Sequence, residues 1–195
     1  MGRAKLARSE LVSRLAALFA SKGYAGTSLA DITAATGLGK GSLYHAFPGG
    51  KDEMAEAVLA AAAARIEAEI LRPLESAGDP ARGVAAMFEA VHAHYEGGRK
   101  LCLPAAFALQ DAGEQFAEAI RSLFLRWRDT LVGSLVRAGV SEAHARGLAL
   151  ETLAVIEGGL VLAQALGESS AFEQSLARQN ARLAALLDAR RRRGS

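Results

Sequence analysis

Apolar residues recur with helical spacing along the whole chain, and glycine or proline interrupts them at helix-length intervals. In the first such segment Leu11, Leu15 and Phe19 share one helical face, and Gly23 follows as the expected end of the helix. The alternation of apolar and polar residues that is typical of strands is absent from the sequence. The pattern predicts an all-α fold of about nine helices, with three short ones followed by six that form a larger body.

Composition narrows the class of protein. The 195 residues are 51% hydrophobic and 23% charged, which is typical of a soluble globular chain, and no apolar run approaches the ~18 residues of a membrane span. The single cysteine, Cys102, excludes an internal disulfide framework and a multi-cysteine metal site. His92 and His94 lie on different helical faces, so they are poor joint metal ligands. We therefore expect a cytoplasmic protein without metal, cofactor or membrane anchor.

Charge is distributed unevenly along the sequence, although the net charge is only +2. Residues 1–52 hold seven lysines and arginines against three acidic residues, whereas residues 53–177 hold ten against seventeen. Residues 178–195 are basic again, with six against one. A basic N-terminal segment on an acidic body indicates a polyanionic partner for that segment. The last residues, 191–195, are interpreted as a disordered basic tail or a cloning scar.

Residues 36–51 concentrate glycines, hydroxyls, lysines and aromatic rings in the order TGLGKGSLYHAFPGGK. The centre of this segment looks like a phosphate-binding nucleotide loop, which requires G-x-x-x-x-G-K-[ST] between a strand and a helix. Here Lys40 is followed by Gly41 instead of a hydroxyl residue, and Ala34 stands where the first glycine is required. No strand is predicted before it. A nucleotide-binding loop is therefore rejected.

The same segment fits a helix-turn-helix, in which two short helices are joined by a glycine-containing turn. The turn is predicted at Gly37, and apolar anchors come from both sides of it: Leu29, Ile32, Leu38 and Leu43. The remaining side chains of the second helix then face outward, where a recognition helix meets base edges in the major groove of DNA. These outward residues are Lys40, Gly41, Ser42, Tyr44 and His45.

Residues 23–54, GYAGTSLADITAATGLGKGSLYHAFPGGKDEM, resemble the DNA-binding segment of the TetR family of transcriptional repressors. The matching features are G-Y-x-x-T-S, D-I, G-L-x-K-G-S-L-Y-x-x-F and a lysine that opens the next helix. The resemblance implies base contacts from the start of the second helix and phosphate contacts from Thr27, Ser28 and Lys51. It also implies a basic arm that contains Arg3, Lys5 and Arg8. The sequence departs from the family pattern at Thr33, Gly39 and Ala46.

The rest of the chain is predicted to bind a small molecule. Apolar and aromatic side chains are frequent there, and between helices they would line an apolar pocket with a few polar groups, although helical stripes of this kind are also typical of a core. Residues 100–165 resemble the ligand domain of multidrug-responsive regulators of the LmrA/YxaF type, which implies that the helices carrying Phe107 and Trp127 surround the cavity. The predicted ligand-binding residues are Met87, Phe88, Phe107, Gln110, Phe124 and Trp127.

The last two long helices are candidates for a homodimer interface. The glycine pair Gly158 and Gly159 permits close approach of two backbones, and leucines form an apolar strip. The alternative is that this strip packs onto the chain's own body. The predicted interface residues are Gly158, Gly159, Leu162, Leu176, Leu183 and Leu187.

These features predict a helix-turn-helix domain at residues 1–50 and a ligand-binding and dimerisation domain at residues 51–190. The expected function is a homodimeric, non-enzymatic repressor that a small apolar or aromatic molecule releases from a pseudo-palindromic operator. An activator that uses the same DNA-binding segment, or a regulator that has lost its ligand, remains open. A small helical carrier or enzyme without DNA binding is a further alternative, but it leaves the basic N-terminal segment unexplained.

Overall fold

The computed structural model describes residues 7–109 and 113–194, and this part of the chain is helical without strands. A π-helical turn, Glu67–Leu71, joins two of the helices, α4 and α5, into one continuous rod. Counted in this way, the described residues form nine helices, which confirms the predicted all-α architecture. The helices are α1 (Arg8–Lys22), α2 (Leu29–Thr36), α3 (Lys40–Ala46), α4 (Gly50–Ile66), α5 (Arg72–Ser76), α6 (Pro80–His94), α7 (Leu103–Ala108), α8 (Gly113–Arg137), α9 (Glu142–Leu166) and α10 (Ser170–Gly194).

The ends of the first two helices follow from local side-chain chemistry. Gly23 and Gly37 end α1 and α2 at φ angles of 72° and 70°, a backbone region that favours glycine. Ser28 and Asp31 form a reciprocal capping box at the start of α2, since each side chain accepts a hydrogen bond from the other's backbone N–H. The caps predicted from sequence at these positions are confirmed.

Pro73 does not end the helix, because the helical rod continues to Ser76. Proline removes a backbone donor and crowds the preceding turn. Here the preceding turn is the wider π-helical one, in which the N–H of Arg72 donates to the carbonyl of Glu67 five residues earlier. The proline therefore falls at the first turn of α5, where a missing N–H costs least.

The chain divides into two compact units that do not follow the predicted boundary at residue 50. One unit is Met1–Ala64 together with Leu103–Ile120, and the other is Arg65–Cys102 together with Arg121–Ser195. Most of α4, all of α7 and the start of α8 therefore belong to the first unit. Sequence periodicity does not show this grouping, because it depends on which helices pack together.

An aromatic cluster explains why α7 and α8 contribute to the first unit. Phe19 from α1 meets the Phe107 ring of α7 edge-on, with the ring centroids 5.8 Å apart. Phe116 of α8 lies 5.6 Å from Phe107 and 5.4 Å from Tyr24, again in edge-to-face arrangements. Such pairs add stabilisation beyond the apolar area they bury. The cluster packs residues more than 80 positions apart into one core.

The core of the second unit is formed where α6, α9 and α10 pack around Phe172, which is fully buried. Two glycines allow this ring to approach the backbone closely. A Cβ atom at Gly98, where φ is 93°, would lie 2.8 Å from the Cβ of Phe172, and one at Gly159 would lie 3.2 Å from its ring. A side chain at either position would displace the phenyl ring.

The second unit also contains a buried polar cluster. Glu157 on α9 lies beside the thiol of Cys102, and burial raises the pKa of this carboxyl from 4.5 to about 7. The hydroxyl of Tyr95 lies beside the same thiol, and burial raises its pKa well above the ordinary value. Among the described residues, four shielded polar atoms lack a hydrogen-bond partner: Tyr95 Oη, Trp127 Nε1, Ser134 Oγ and Glu157 Oε1.

One described helix, α9, is long and apolar enough to cross a membrane on length and composition alone. In the structure 44% of its most apolar window is buried inside the protein, and α10 covers one of its sides. A core helix of a globular protein has the same composition, because it is apolar on more than one face.

Residues 191–195 are predicted to be a disordered basic tail or a cloning scar, and in the structure α10 extends to Gly194. Arginine is a good helix former, and side chains near this end make helix-compatible contacts. Arg190 donates to the carbonyl of Gly139 at 2.6 Å, and Arg191 pairs with Asp188 at 2.8 Å one turn earlier.

The buried carboxyl of Glu157 predicts a pH-dependent stability. Its pKa is about 7 in the folded chain against an ordinary 4.5, so the folded state binds more protons between these values and stability falls as pH rises. We expect wild type to lose about 3 kcal/mol of unfolding free energy relative to Glu157→Gln between about pH 4 and pH 8. Denaturant unfolding at several pH values measures this difference.

The control is Glu168→Gln, which removes an exposed carboxylate just after the same helix and so makes the same change in net charge. A pH-independent difference between wild type and Glu157→Gln would show that the carboxyl is not held in a desolvated site.

Candidate nucleic-acid interface

The α2–turn–α3 segment is fixed to the first unit by apolar side chains on one side only. Ile32 of α2 and Leu43 of α3 are fully buried, and so is Phe47, which ends α3. Gly37 adopts the left-handed conformation between the helices, and the N–H of Leu38 donates to the hydroxyl of Thr36 at 3.3 Å. This arrangement is the helix-turn-helix that the sequence predicts.

The opposite side of α3 is exposed. It presents the five residues predicted to face DNA, namely Lys40, Gly41, Ser42, Tyr44 and His45. In the part of the chain that the structure describes, none of the four side chains in this set makes a hydrogen bond or ion pair with the protein. Polar groups without internal partners on a rigid short helix are available to bases and phosphates.

The two glycines of this segment have open space around them. A Cβ atom placed on Gly39 or Gly41 would meet no atom within 4 Å, and neither backbone is in the left-handed region. The fold therefore does not require glycine at these positions. Gly39 is the N-cap of α3, a position that glycine suits, whereas at Gly41 glycine would let the backbone approach another molecule closely.

Arg8 holds the far end of α3 in place. Its Nη1 donates to the carbonyl of Ala46 at 2.7 Å, and its guanidinium lies 4.5 Å from the centroid of the Phe47 ring. Nη2 also lies 3.7 Å from Glu53 of α4. Arg8 is predicted to belong to the basic arm. Its contact with Ala46 could not be predicted, because no short-range sequence pattern indicates an interaction across 38 residues.

Thr27 and Lys51, for which phosphate contacts are predicted, make contacts within the protein in the structure. The Thr27 side chain is 1% exposed, and its hydroxyl donates to the carbonyl of Gly23 at 2.6 Å. Lys51 donates to the carbonyls of Tyr24 and Thr27, both at 3.2 Å, and its ammonium lies 4.3 Å from the centroid of the Tyr24 ring. Both groups are therefore occupied inside the first unit.

Tyr24 and Asp52 complete this tie between the loop before α2 and the start of α4. The Tyr24 hydroxyl donates to the Asp52 carboxylate. Burial, followed by this hydrogen bond, raises the pKa of Tyr24 to about 12, and the same bond holds the pKa of Asp52 below its ordinary value. The ring thus contacts a lysine on its face and a carboxylate at its hydroxyl.

Ser28 is exposed, as expected for a phosphate contact, but its hydroxyl is shared with the capping box. It donates to Asp31 at 2.6 Å and accepts from the Asp31 N–H at 3.2 Å. Asp31 also pairs with Lys22, and these contacts lower the pKa of its carboxyl. The predicted arm residues Arg3 and Lys5 lie outside the described residues.

Comparison with known proteins identifies the family. Residues 11–58 match the family model of bacterial regulatory proteins of the tetR family, and residues 80–178 match the LmrA/YxaF-like C-terminal domain of transcriptional regulators. The HTH-type transcriptional regulator LmrA of Bacillus subtilis (strain 168) is 31% identical over 161 residues, which cover 80% of this chain and 85% of LmrA. The chain belongs to the TetR family. It is a DNA-binding transcriptional regulator whose C-terminal domain is of the LmrA/YxaF-like type, as its sequence predicts.

Solved structures agree with this TetR-family fold. A TetR transcriptional regulator from Chloroflexus aurantiacus J-10-FL has a TM-score of 0.74 and 27% identity, covering 89% of this chain and 92% of that one. A cysteine-substituted mutant of the TetR family regulator CifR, complexed with 26-bp double-strand operator DNA, also has a TM-score of 0.74, with 22% identity over 92% of this chain and 98% of that one.

The predicted ligand-binding residues of this TetR-family chain belong to both units. Met87, Phe88 and Trp127 are buried in the second unit, and Phe124 is partly buried there. Phe107 belongs instead to the aromatic cluster of the first unit, and Gln110 lies outside the described residues.

Four of the six predicted dimer residues are buried within the chain itself. Leu176, Leu183 and Leu187 face the core between α10 and its neighbours, and Gly159 lies against Phe172. Their apolar strip therefore covers the chain's own body, which corrects the prediction. Gly158 and Leu162 are exposed on α9.

The substitution Gly41→Ala is expected to change folding stability and DNA affinity in opposite directions. Gly41→Ala should raise the unfolding free energy by roughly 0.5–1 kcal/mol, because alanine favours the helix and its Cβ meets nothing in the protein. The same methyl group should weaken operator binding by about tenfold or more, a loss of roughly 1.4 kcal/mol, if the backbone lies close to DNA. Thermal unfolding and fluorescence anisotropy with a selected duplex measure the two effects.

The matched control is Gly133→Ala on α8, where the added Cβ would lie 3.8 Å from a flexible arginine tip. It should give the helix-propensity gain and leave DNA affinity unchanged. Undiminished binding by Gly41→Ala would mean that this backbone does not approach DNA closely.

Proposed function

We propose that this regulator is a homodimeric repressor that reads a pseudo-palindromic operator with α3, and that a small apolar or aromatic effector releases it. The observation that carries the DNA contact is the exposed side of α3, where the side chains of Lys40, Ser42, Tyr44 and His45 make no hydrogen bond or ion pair within the described residues. The structural relative CifR was captured with double-strand operator DNA, which supports the same use of this fold. Operator binding places the proposed site of action in the cytoplasm.

The contacts of α3 divide by chemistry. Lys40 and Gly41 begin the helix, where a recognition helix inserts into the major groove and meets base edges. Tyr44 and His45 lie one turn later and suit the phosphate backbone. The internal contacts of Thr27 and Lys51 give these residues a supporting role, since they hold the loop that leads into α2.

A symmetric dimer accounts for a pseudo-palindromic operator, since each copy of α3 then meets a major groove about 34–36 Å from its twin. The exposed side of α9 and α10 supports such a dimer. Every fourth residue of one α9 face is exposed and apolar or glycine, and α10 adds exposed alanines beside it. These residues are Leu150, Ala154, Gly158, Leu162 and Leu166 on α9, and Ala177, Ala181 and Ala185 on α10.

This exposed α9–α10 face has the properties of a subunit interface. Large apolar side chains in one continuous row are typical of surfaces that another protein covers. Gly158 has no atom within 4 Å of an added Cβ, so a second backbone can approach there. Arg182 and Glu151 form an ion pair across the two helices, which fixes their relative position at this surface.

Effector release requires a molecule that binds one conformation better than the other. A preference of about 100-fold corresponds to about 2.7 kcal/mol of coupling, which is within the ordinary range. The connecting element is α4, because it begins in the first unit and continues through the π-helical turn into the second.

The DNA contact is tested with duplexes selected from a random pool. Lys40→Ala and Tyr44→Ala should each abolish or strongly weaken operator binding while the proteins stay folded, and the affinity of wild type should fall steeply as salt is raised. Fluorescence anisotropy across a salt series measures both quantities. Arg121→Ala, which removes an exposed charge in the second unit, is the control. Unchanged affinity of both α3 variants would refute the assignment.

The dimer is tested by a charge on its proposed surface. Leu162→Glu should convert the dimer to a folded monomer, because an unpaired carboxylate in an apolar interface is costly. Light scattering after size exclusion measures the mass, and circular dichroism checks the fold. Val136→Glu introduces the same charge at a comparably exposed valine of α8 and should leave the dimer intact. A Leu162→Glu protein that stays dimeric would place the interface elsewhere.

A further inference from the structure

The buried polar cluster of the second unit has features that the fold alone does not explain. Glu157 and Gln164 lie two turns apart on α9, so both face the segment that follows α6. Gln164 fixes the two elements together, because its Nε2 donates to the carbonyls of Gly98 and Arg99 at 3.1 and 3.2 Å. The cluster therefore lies between α9 and residues 95–102, two segments that these hydrogen bonds hold together.

Two oxygen atoms of this cluster are shielded, and among the described residues the only polar group beside them is the Cys102 thiol, a weak hydrogen-bonding partner. Tyr95 is 2% exposed, and its hydroxyl has no hydrogen-bond partner of ordinary geometry among the described residues. The same holds for Oε1 of Glu157. The Cys102 thiol lies beside both residues, so it contributes a third polar group. Folded proteins rarely leave such groups unpaired unless a ligand, ion or water uses them.

We infer that Glu157 and Tyr95 form the polar end of the effector site and recognise a protonated amine on an otherwise apolar molecule. This inference rests on the proposed effector-responsive function and specifies the chemistry of its ligand. An ammonium group donates hydrogen bonds, and its positive charge compensates the negative charge of a buried carboxylate.

The charges around Glu157 favour a cation over an anion. The titratable groups that face it from the neighbouring segment are the Tyr95 hydroxyl and the Cys102 thiol, and both are acids. In the described part of the chain, Glu157 forms no ion pair with a lysine, arginine or histidine. An anionic ligand would therefore meet an uncompensated carboxylate, whereas an amine would pair with it in a site shielded from water.

The surroundings suit an apolar or aromatic ligand body. The Tyr95 ring packs edge-on with Phe172, at a centroid distance of 6.4 Å, and with His94 at 4.8 Å. Leu153 and Leu160, one turn before and after Glu157 on α9, are buried. Glu157 itself is only partly buried as a residue, so its carboxyl lies at the rim of this core. Aromatic faces also attract cations.

A matched pair of probes tests the inference by isothermal titration calorimetry. Naphthylmethylamine is protonated at neutral pH, whereas naphthylmethanol has the same ring system and a neutral hydroxyl. We expect wild type to bind the amine at least tenfold more tightly than the alcohol. Near neutral pH the amine should also release protons, seen as a binding heat that changes between buffers of different ionisation enthalpy.

Glu157→Gln should abolish the preference for the amine and its proton release while binding of the alcohol remains. Tyr95→Phe, which removes only the hydroxyl, should weaken the amine severalfold, and Glu168→Gln should change nothing. Wild type that binds neither probe, or both equally, would overturn the inference. So would a Glu157→Gln protein that keeps the preference.

Operator affinity of the same proteins, measured without probe, separates this inference from the proposed function. Glu157→Gln should bind the selected duplex as wild type does, which also shows that it is folded. Wild type that binds the operator but shows no preference for the amine would refute the ligand class alone. Wild type that prefers the amine but binds no duplex would refute the proposed operator binding instead.

Discussion

The DNA-binding segment depends on anchoring α3 to the core through one of its sides. A helix of seven residues is not stable by itself in water, since so few residues do not offset the cost of forming its first turn. Leu43 and Phe47 anchor it to the core of the first unit, and Arg8 binds the carbonyl of Ala46 at its end. Leu43 and Phe47 lie on the inner side, and the polar side chains of the outer side make no hydrogen bond or ion pair with the part of the protein that the structure describes. A firmly anchored helix with exposed polar side chains is suited to act as a recognition helix for DNA.

The helix ends of this DNA-binding segment were predictable, because they depend on contacts between residues close in the sequence. The caps at Gly23, Ser28 and Gly37 depend on residues within four positions of one another, so the sequence specifies them directly. The internal roles of Thr27 and Lys51 were not predictable in the same way. Lys51 binds carbonyls 24 and 27 residues earlier, and a lysine that opens a helix gives no signal of such partners. Family resemblance supplied a phosphate contact for both residues, and the fold has already used these groups.

The predicted dimer interface shows a second limit of prediction from the sequence. Helical periodicity identifies an apolar stripe, but it does not identify the neighbour that covers the stripe. On α10 the leucines Leu176, Leu183 and Leu187 are covered by the chain itself, and the exposed positions are alanines. On α9 the exposed row is leucine-rich, so the larger apolar surface was present in the sequence but could not be distinguished from core. Only the packing of α9 against α10 separates the two.

Three faces of α9 serve three different contacts, and this has a mechanical consequence. One face packs on α10 through Gly159, a second presents the exposed apolar row, and a third carries Glu157 and Gln164 toward residues 95–102. A helix moves as a rigid body, and shifts of one to two ångströms at subunit contacts are a known way of switching assemblies. If the effector binds beside Glu157, as inferred above, it contacts the same helix that presents the proposed dimer surface. The strain need not travel through a chain of side chains, because one helix touches both places.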